Sequence, residues 1–436
     1  MEGSKKDLIF KMPYSKSDLK EIKEDKKEYI EADSSGNIII PAETAAGLGI
    51  TPKDQIRYIQ KGSSLVIRLP MRLSKLYIEV TNQCNLNCRT CIRHVWDERP
   101  GMMNDRVFES IIEGISSFPA LPEKIFFGGF GEPLSHPRII RMISKVKSMG
   151  MTAEMITNGT LLTEDMIVSL IDSGLDTLWI SLDGSTPESF SDIRMGAQLP
   201  GIMENLKLLY RLNTIGGRGF SKHMNIGIAF VAMKRNIKEL PAVIEIAQNT
   251  GADHFLVTNV LPYTEAMVEE AMYYRSINRR NFDLDLPLMD MDGSTLDSIR
   301  RAADSINMTI PFVPSDKFRN TCPFIEDGSG AIGWNGDLSP CLPLLHNHEG
   351  FLGFLTYGIR HSKKWAIDNV ANRNLYDIWN TPEHKAFRER VMDFDFSPCI
   401  TCGGCDLSEK NEEDCIGNKH PTCGACLWAQ GIIRCP

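Results

Sequence analysis

Short apolar runs rich in β-branched residues alternate with longer amphipathic segments between residues 75 and 262. This alternation is typical of βα units, in which the strands pair in parallel and the helices cover the sheet. The apolar runs predict strands over residues 76–80, 124–127, 153–156, 177–181, 224–231 and 254–258. We therefore expect an α/β fold built on a parallel sheet.

The amphipathic segments between these runs predict four helices, because their apolar residues recur at helical spacing. The predicted helices cover residues 105–117, 137–148, 164–172 and 237–249. Gly150, Gly174 and Gly251 follow the last three of them. A glycine just past a helix end is expected, since it readily adopts the left-handed backbone that ends a helix.

Different textures flank this α/β core, which we place at residues 73–320. Residues 1–33 are rich in lysine and glutamate and predict an N-terminal arm. Residues 34–72 carry β-rich runs at 38–40, 56–59 and 64–69 and predict a small β domain. Residues 321–436 are dominated by Gly, Pro, Asp and Cys, which predicts an irregular domain held together by metal clusters.

The small β domain resembles AbrB-type swapped-hairpin domains in its order of strand, Ile40-Pro41, short helix and Leu48-Gly49-Ile50. That family pairs hairpins between two chains and often binds DNA. Asn37 stands where a basic residue is expected, and the helix over 42–46 has no lysine or arginine. Because phosphate contacts supply most non-specific affinity for DNA, DNA binding is disfavoured. A homodimerisation or substrate-docking module is the expected use.

Charge and cysteine content narrow the function. The chain of 436 residues has 48 basic and 56 acidic side chains, and its net charge of -8 argues against a nucleic-acid coat. We see neither a membrane-length apolar stretch nor a signal peptide, so a cytoplasmic protein is expected. In that reducing compartment, 12 cysteines indicate metal binding rather than disulfides.

The first cysteine group, Cys84, Cys88 and Cys91, lies on a short loop directly after the first predicted strand. Three thiolates can bind three irons of a cubane 4Fe-4S cluster and leave the fourth iron open to a ligand. A structural zinc site is the alternative, but it normally needs four ligands, and the next cysteine is Cys322. The spacing therefore favours an iron–sulfur cluster.

This spacing resembles the signature of the radical S-adenosylmethionine (radical SAM) family, in which SAM chelates the open iron. Motifs similar to the family's SAM-binding motifs follow the next three predicted strands. Each alone is also ordinary turn chemistry, but the three occur in the family's order. The residues that the resemblance implies for SAM binding are Gly129, Gly131, Glu132, Asn158, Ser181 and Asp183. Among them, Glu132 is expected to accept from the ammonium group of SAM, and the glycines to let the backbone approach the ligand.

The resemblance also implies the fold and the chemistry. The fold would be a partial (β/α)6 radical SAM barrel, with the AbrB-like domain before it. Reductive cleavage of SAM would produce a 5′-deoxyadenosyl radical that abstracts a hydrogen atom from the substrate. No catalytic residue is assigned beyond the cluster. Thr90 departs from the family, which usually has an aromatic residue near adenine there, and His94 or Trp96 could replace that contact.

The C-terminal cysteines resemble those of the SPASM domain, which carries auxiliary 4Fe-4S clusters. Cys322 and Cys341 match the opening of its motif, and the further candidate ligands are Cys399, Cys402, Cys405, Cys415, Cys423, Cys426 and Cys435. Two clusters would leave one cysteine spare, and the sequence does not identify it. Taken alone, Cys399 and Cys402 with Cys423 and Cys426 would also suit a zinc ribbon.

Together these features imply a radical SAM maturase that acts on a peptide, protein or cofactor precursor. A low-potential donor such as ferredoxin or flavodoxin would supply the electron. The tail over residues 415–431 is most similar to proteins named as cofactor-modifying proteins of tungsten-containing aldehyde ferredoxin oxidoreductases, which implies tungstoenzyme maturation. The alternatives are a redox-sensing regulator that binds DNA, and a core enzyme with a zinc ribbon. A sensor needs no SAM pocket, so the SAM motifs disfavour it.

Overall fold

The chain divides into two units, a smaller one, Met1–Arg72, and a larger one, Leu73–Pro436. The larger unit is built on strands that pair in parallel. The predicted arm over residues 1–33 lies outside the described residues apart from Asp33. The computed structural model describes residues 33–35, 38–47, 50, 56–62, 64–68, 71–214, 223–273, 297, 301, 307–309, 322–351, 358–402 and 405–436.

The smaller unit contains helix α1 (Ala42–Gly47) and a hairpin of strands β1 (Arg57–Lys61) and β2 (Ser64–Arg68). The two strands pair antiparallel around a turn in which Gly62 has a φ of 59°. Of the run predicted over residues 38–40, only Ile38 forms a bridge. Two of the three predicted β runs are therefore strands, and the likeness to AbrB-type domains stays a prediction.

Six consecutive parallel strands form the centre of the larger unit, and each pairs with the next one along the chain. Their positions confirm the six predicted strands, with ends shifted by at most two residues. They are β3 (Lys75–Ile78), β4 (Lys124–Phe127), β5 (Thr152–Thr157), β6 (Thr177–Ser181), β7 (Asn225–Ala232) and β8 (His254–Asn259).

The sheet continues on both sides of these six strands. The further strands are β9 (Asn307–Thr309), β10 (Ser329–Ile332), β11 (Asp337–Ser339), β12 (His348–Phe351), β13 (Ile359–Ser362) and β14 (Asp368–Asn369). β9 pairs in parallel with β8, and β10 pairs in parallel with β3. β11 pairs antiparallel with β10, and β14 pairs antiparallel with β11. β12 and β13 form a separate antiparallel hairpin. The C-terminal region is less irregular than expected, because its first strands extend the core sheet.

Helices connect the parallel strands. In chain order they are α2 (Asp105–Ser116), α3 (Ile139–Ser148), α4 (Glu164–Asp172), α5 (Pro187–Ile193), α6 (Leu199–Thr214), α7 (Leu240–Asn249), α8 (Glu265–Val268), α9 (Pro323–Glu326), α10 (Leu375–Trp379), α11 (Pro382–Asp393) and α12 (Cys399–Cys402). All four helices predicted for the α/β core are present, as is the short helix predicted before it (α1), whereas α5, α6 and α8 were not predicted. None of the helices in the described part of the chain is long and apolar enough to span a membrane.

Local chemistry explains where the helices begin and end. The side chains of Asn104 and Thr163 cap α2 and α4 by accepting from backbone N–H groups of the first turn. Gly150, Gly174 and Gly251 have φ values of 86°, 79° and 69° after α3, α4 and α7, as the sequence predicted. α7 begins three residues later than predicted, because its first predicted residues form a 3-10 turn (Ile237–Glu239), and α3 begins two residues later than predicted.

The two faces of the sheet carry different layers. Leu76 and Ile78 of β3 are fully buried in the apolar core, which also contains Ile111 and Ile115 of α2. On the opposite face of β3, Lys75 Nζ donates to the carbonyl oxygen of Pro436 at 2.8 Å, and the Tyr77 hydroxyl donates to the same oxygen at 3.1 Å. The segment at Pro436 therefore packs against this second face.

Candidate cluster and cofactor site

The loop over residues 84–91 follows β3, and its backbone is anchored to the segment after α5. The N–H of Asn87 donates to the carbonyl oxygen of Met195 at 3.0 Å, and the N–H of Arg89 donates to that of Ile193 at 2.9 Å. These bonds join residues about a hundred positions apart in the sequence, so they form only because the chain fold brings the end of α5 beside the loop. The loop therefore has a fixed place at the carboxyl ends of the strands.

Two side chains close the loop on itself. Arg93 Nη1 donates to the carbonyl oxygen of Leu86 at 3.0 Å, and His94 Nε2 lies 2.9 Å from the carbonyl oxygen of Cys88. Since a carbonyl oxygen only accepts, His94 Nε2 carries the proton in this contact. These two bonds fix the backbone of the loop at Leu86 and at Cys88.

The three thiols fit a cluster better than a single metal ion. Cys88 is 8% exposed, and burial raises the pKa of the Cys84 and Cys91 thiols. In the described part of the chain, no three His, Cys, Asp or Glu side chains converge as ligands of one ion. A cubane binds each thiolate through a separate iron, so its ligands need not converge, and its positive charge favours deprotonated thiols.

Glu132 lies in the turn after β4 and is 2% exposed. Its Oε1 accepts from Leu134 N at 3.0 Å and from the Thr157 hydroxyl at 2.8 Å, while its Oε2 accepts from Asn158 N at 2.8 Å. Burial raises the pKa of this carboxyl group. A carboxylate has about four acceptor positions, so these three bonds leave room for one more donor, such as an ammonium group.

The two glycines of this turn allow it to pack closely against the residues that follow β3. A Cβ on Gly131 would lie 2.1 Å from the carbonyl oxygen of Thr81, and a Cβ on Gly129 would lie 2.6 Å from Glu79 Oε2. Both contacts are far inside van der Waals distance. A side chain at either position would therefore push this turn away from the residues after β3, and the expected approach of the glycine backbone to the cofactor stays a prediction.

Asn158 follows β5 and reaches the cysteine loop. Its Nδ2 donates to Asn85 Oδ1 at 2.9 Å and lies 3.7 Å from Cys84 Sγ. Its Oδ1 accepts from both the N–H and the hydroxyl of Thr160, at 2.9 and 2.6 Å. Together with Glu132, it links two strand ends to the loop that carries the cysteines.

Asp183 is fully buried and holds an arginine that the sequence did not single out. Arg194 Nε donates to Asp183 Oδ2 at 2.6 Å, and Arg194 Nη1 lies 3.9 Å from Cys88 Sγ. The other carboxylate oxygen accepts from Val231 N at 2.7 Å. Asp183 therefore acts on the site through Arg194. No local signal marks Arg194, because the contact depends on how α5 is placed.

Ser181 is the predicted residue whose polar group is open to a ligand. It ends β6 and is 8% exposed. Its hydroxyl forms no hydrogen bond with the residues that the structure describes, in contrast to the side chains of Glu132, Asn158 and Asp183. A ligand bound beside the cysteine loop can therefore take this hydroxyl as donor or acceptor.

The aromatic residues after the loop have separate surroundings. Trp96 packs edge-to-face on His346, with ring centroids 4.6 Å apart, and on Phe130 at 5.8 Å. His94 is exposed, and its Nε2 is held at Cys88. Thr90 is half-buried. Of the two candidates to replace the missing aromatic residue, His94 is the more exposed, whereas Trp96 is half-buried against two other rings.

Four cysteines of the C-terminal region line one cavity: Cys322, Cys341, Cys423 and Cys426. Burial raises the pKa of all four thiols, to about 12 for Cys322. Four thiols around one space match the ligand number of a 4Fe-4S cluster. This grouping disfavours the zinc ribbon, in which Cys423 and Cys426 would pair with Cys399 and Cys402.

A second group comprises Cys399, Cys405 and Cys415. Burial raises the pKa of the Cys399 thiol, and the charges of Asp414, Cys405 and Cys415 add to the shift. Cys405 and Cys415 are exposed, and Cys415 Sγ lies 3.0 Å from the hydroxyl of Ser397. Cys402 shares the helical turn α12 with Cys399, but its side chain lies outside the description.

Cys435 lies apart from both groups. Its sulfur accepts from Trp428 Nε1 at 3.3 Å, and Lys75 of β3 contributes a nearby positive charge. Burial is the main effect on this thiol and raises its pKa. Its place beside Lys75, and not among the residues that line the four-cysteine cavity, distinguishes Cys435 from Cys322, Cys341, Cys423 and Cys426.

A polar cleft opens beside the cysteine loop. The segment that follows the loop contributes His94 and Trp96, and the β12–β13 hairpin contributes His348, His361 and Lys363. His348 also lines the four-cysteine cavity. The cleft therefore contains His94, whose Nε2 is held at Cys88, and shares His348 with the auxiliary cavity.

Two family models match the chain. That of the radical SAM superfamily covers residues 78–228, and that of SPASM, described as an iron-sulfur cluster-binding domain, covers residues 322–406. A curated relative from Pyrococcus furiosus, the tungsten-containing aldehyde ferredoxin oxidoreductase cofactor-modifying protein, is 31% identical over 367 residues. The match covers 83% of this chain and 96% of that protein.

More distant relatives have similar lengths. The PqqA peptide cyclase of Gluconobacter oxydans is 22% identical, and the match covers 81% of this chain and 91% of the cyclase. The solved structure of Streptococcus suis SuiB bound to precursor peptide SuiA is 16% identical with a TM-score of 0.53. It covers 76% of this chain and 70% of SuiB, and at this identity the likeness concerns the fold.

We predict that Asp183→Asn destabilises the cluster-free protein by about 3–5 kcal/mol, because it leaves the guanidinium of Arg194, whose side chain is only 13% exposed, without its carboxylate. Urea denaturation followed by circular dichroism measures the change. Asp192→Asn is the matched control, since Asp192 pairs with Arg89 at 2.6 Å but its side chain is 45% exposed. The control should cost about 0.2–1 kcal/mol. Equal effects of the two substitutions would contradict the role given to Asp183.

Proposed function

Since the chain belongs to the radical SAM superfamily and carries a SPASM iron–sulfur domain, we propose that it is a maturase acting on a peptide, protein or cofactor precursor. Radical SAM enzymes use SAM and a 4Fe-4S cluster, and SPASM domains bind auxiliary iron–sulfur clusters. When bound, the first cluster and SAM supply reductive cleavage of SAM and a 5′-deoxyadenosyl radical. The rest of the chemistry depends on how this chain orients them.

The observation that carries the proposal is the set of contacts around the cysteine loop. Cys84, Cys88 and Cys91 would hold the first cluster. Asn158 lies 3.7 Å from the sulfur of Cys84, and Arg194 lies 3.9 Å from that of Cys88. These groups supply hydrogen-bond donors and positive charge beside the proposed open iron, which suits the carboxylate of a bound amino acid. The SAM-binding motifs, which a redox sensor does not need, favour an enzyme over a sensor.

The remaining SAM-binding roles follow from the available groups. The free acceptor position of Glu132 suits the ammonium group of SAM, and the open hydroxyl of Ser181 suits its carboxylate or ribose. Asp183 is proposed as a positioning residue that acts through Arg194. Gly129 and Gly131 are proposed to support the site by letting the turn after β4 pack against β3.

The nine C-terminal cysteines support two auxiliary clusters and one spare residue. Cys322, Cys341, Cys423 and Cys426 would bind the first cluster in their shared cavity. Cys399, Cys402, Cys405 and Cys415 would bind the second. Cys435 would be the spare cysteine, because its sulfur accepts a hydrogen bond from Trp428 and lies near Lys75 of β3.

The polar cleft beside the loop is the proposed substrate site. Through His94 it adjoins the segment after the cysteine loop, and through His348 it adjoins the auxiliary cavity. Its histidine, lysine and carboxylate groups suit a polar substrate. The Pyrococcus furiosus relative supports a cofactor precursor of a tungstoenzyme as substrate, and the fold shared with peptide-bound SuiB supports a peptide. An electron donor such as ferredoxin or flavodoxin would reduce the first cluster.

The smaller unit is proposed to form a homodimer through its hairpin. A two-stranded hairpin alone is marginally stable in water, and this unit exposes 65% of Ile38, 65% of Ile39 and 70% of Tyr58. A second copy could cover this apolar surface by pairing hairpins. This module could also dock a peptide by strand addition.

We expect light scattering to give the mass of a dimer for the full chain and of a monomer for Tyr58→Glu, because a charge at that position would have to be buried in the dimer. Leu121→Glu is the control. Leu121 is also exposed, at 39%, but belongs to the larger unit, so this variant should stay dimeric. A monomeric wild-type chain would rule out the proposed dimer.

We expect protein reconstituted anaerobically and reduced with dithionite to release 5′-deoxyadenosine from SAM without substrate. Cys88→Ala should reduce the release to background, because the cluster loses one of its three ligands. Cys435→Ser, the substitution of the proposed spare cysteine, should leave it unchanged. Chromatography of the nucleoside measures the rate, and no release by the wild-type protein would refute the enzymatic function.

Iron and sulfide analysis tests the cluster assignment. We expect about twelve irons per chain in the wild-type protein and in Cys435→Ser, from three cubane clusters. Cys341→Ser should lose about four irons, because it removes a ligand of one auxiliary cluster. A loss of the same size in Cys435→Ser would show that another cysteine is spare. About four irons together with bound zinc would instead support the ribbon.

A further inference from the structure

A buried arginine lies between the two groups of auxiliary cysteines. Arg360 belongs to β13 and is 8% exposed. Its Nη1 donates to the carbonyl oxygen of Ser408 at 2.5 Å. Within the described residues no carboxylate forms an ion pair with this guanidinium. A buried arginine normally has such a partner, so its charge needs another explanation.

Arg360 faces both cysteine groups. It lines the cavity that contains Cys322, Cys341, Cys423 and Cys426. On its other side, the Ser408 that accepts its hydrogen bond belongs to the turn that follows Cys405. The N–H and hydroxyl of Ser408 donate to the carbonyl oxygen of Cys405 at 2.9 and 2.7 Å. One guanidinium thus spans the space between the two proposed cluster sites.

Electrostatic effects agree with this placement. Burial lowers the pKa of Arg360, and charges on the Cys399, Cys423 and Cys426 thiols oppose that shift. These three cysteines come from both groups. The negative charges that can compensate Arg360 are therefore those of the metal ligands themselves.

Cluster chemistry supplies the missing negative charge. Four thiolates outweigh the positive charge of an oxidised 4Fe-4S core, so a bound cluster is anionic, and reduction adds one more negative charge. A nearby buried cation stabilises the reduced state more than the oxidised state. Net charge and hydrogen bonding around a cluster are known to set its reduction potential.

We propose that Arg360 is the counter-ion shared by the two auxiliary clusters and that it raises the reduction potentials of both. This rests on the proposed function, since it requires iron–sulfur clusters at the two C-terminal cysteine groups. Arg360 is a positioning and tuning residue, and it touches neither SAM nor the first cysteine loop.

Redox titration of the full, cluster-loaded chain tests the proposal, with electron paramagnetic resonance as the readout. The signal of the first cluster is identified by its change on addition of SAM, because only that cluster has an open iron. Arg360→Gln should shift the auxiliary midpoint potentials to more negative values and leave that of the first cluster unchanged. Arg360→Lys keeps the charge and should stay close to the wild type.

Arg373→Gln is the matched control, because Arg373 is 47% exposed and lies 3.6 Å from Asp368. It removes the same charge from the surface and should shift none of the potentials, since exposed charges are screened. Unchanged auxiliary potentials in an iron-loaded Arg360→Gln protein would overturn the proposal. So would equal shifts in Arg360→Gln and Arg360→Lys, which would indicate packing instead of charge.

Iron content covers the case in which a variant loses clusters. Loss of auxiliary iron in Arg360→Gln with retention in Arg360→Lys would support the counter-ion role, because lysine keeps the positive charge and glutamine does not. Equal loss in both variants would overturn it. Zinc in place of auxiliary iron in the wild-type protein would overturn the proposed clusters as well, whereas unchanged potentials overturn this proposal alone.

Discussion

The buried ion pair between Asp183 and Arg194 is the contact on which the arrangement of the first site depends. Asp183 accepts from the backbone of Val231, so the pair is fixed to the ends of two neighbouring strands. Arg194 extends from there to the sulfur of Cys88. A buried pair of this kind contributes orientation more than net stability. It holds a positive charge where three thiolates would otherwise repel one another.

The continuous sheet gives the second constraint. β10 belongs to the C-terminal region, yet it pairs in parallel with β3, the strand that leads into the first cysteine loop. Glu79 directly after β3 lies 2.8 Å from His346, which precedes β12. Burial alone would lower the pKa of His346, but this carboxylate raises it overall. The auxiliary cavity and the first loop are therefore parts of one packed structure.

Charge balance connects the cysteine groups. Burial raises the pKa of thiols in the first loop and in the C-terminal region, so the protein without metal disfavours thiolates. Iron reverses this preference, because a coordinated thiol is deprotonated. Arg194 and Arg360 place buried positive charge beside the two regions. Lys75 lies near Cys435, and burial lowers its pKa to about 8. Positively charged side chains therefore lie beside cysteines in both regions, where they would stabilise the negative charge of bound clusters.

The sequence by itself determined the six central strands and four of the helices, and it placed three cysteines on the loop that follows β3. The alternation of apolar runs, the glycines after the helices and the spacing of the cysteines are local patterns. Each of them is contained in a short stretch of sequence and can be recognised without the tertiary structure. Only the tertiary structure decided that Gly129 and Gly131 face β3, that Arg194 reaches Cys88, and that Cys435 lies apart from the other cysteines. Each of these contacts joins distant parts of the chain, so strand order and packing create it, and no short stretch of sequence contains its signal.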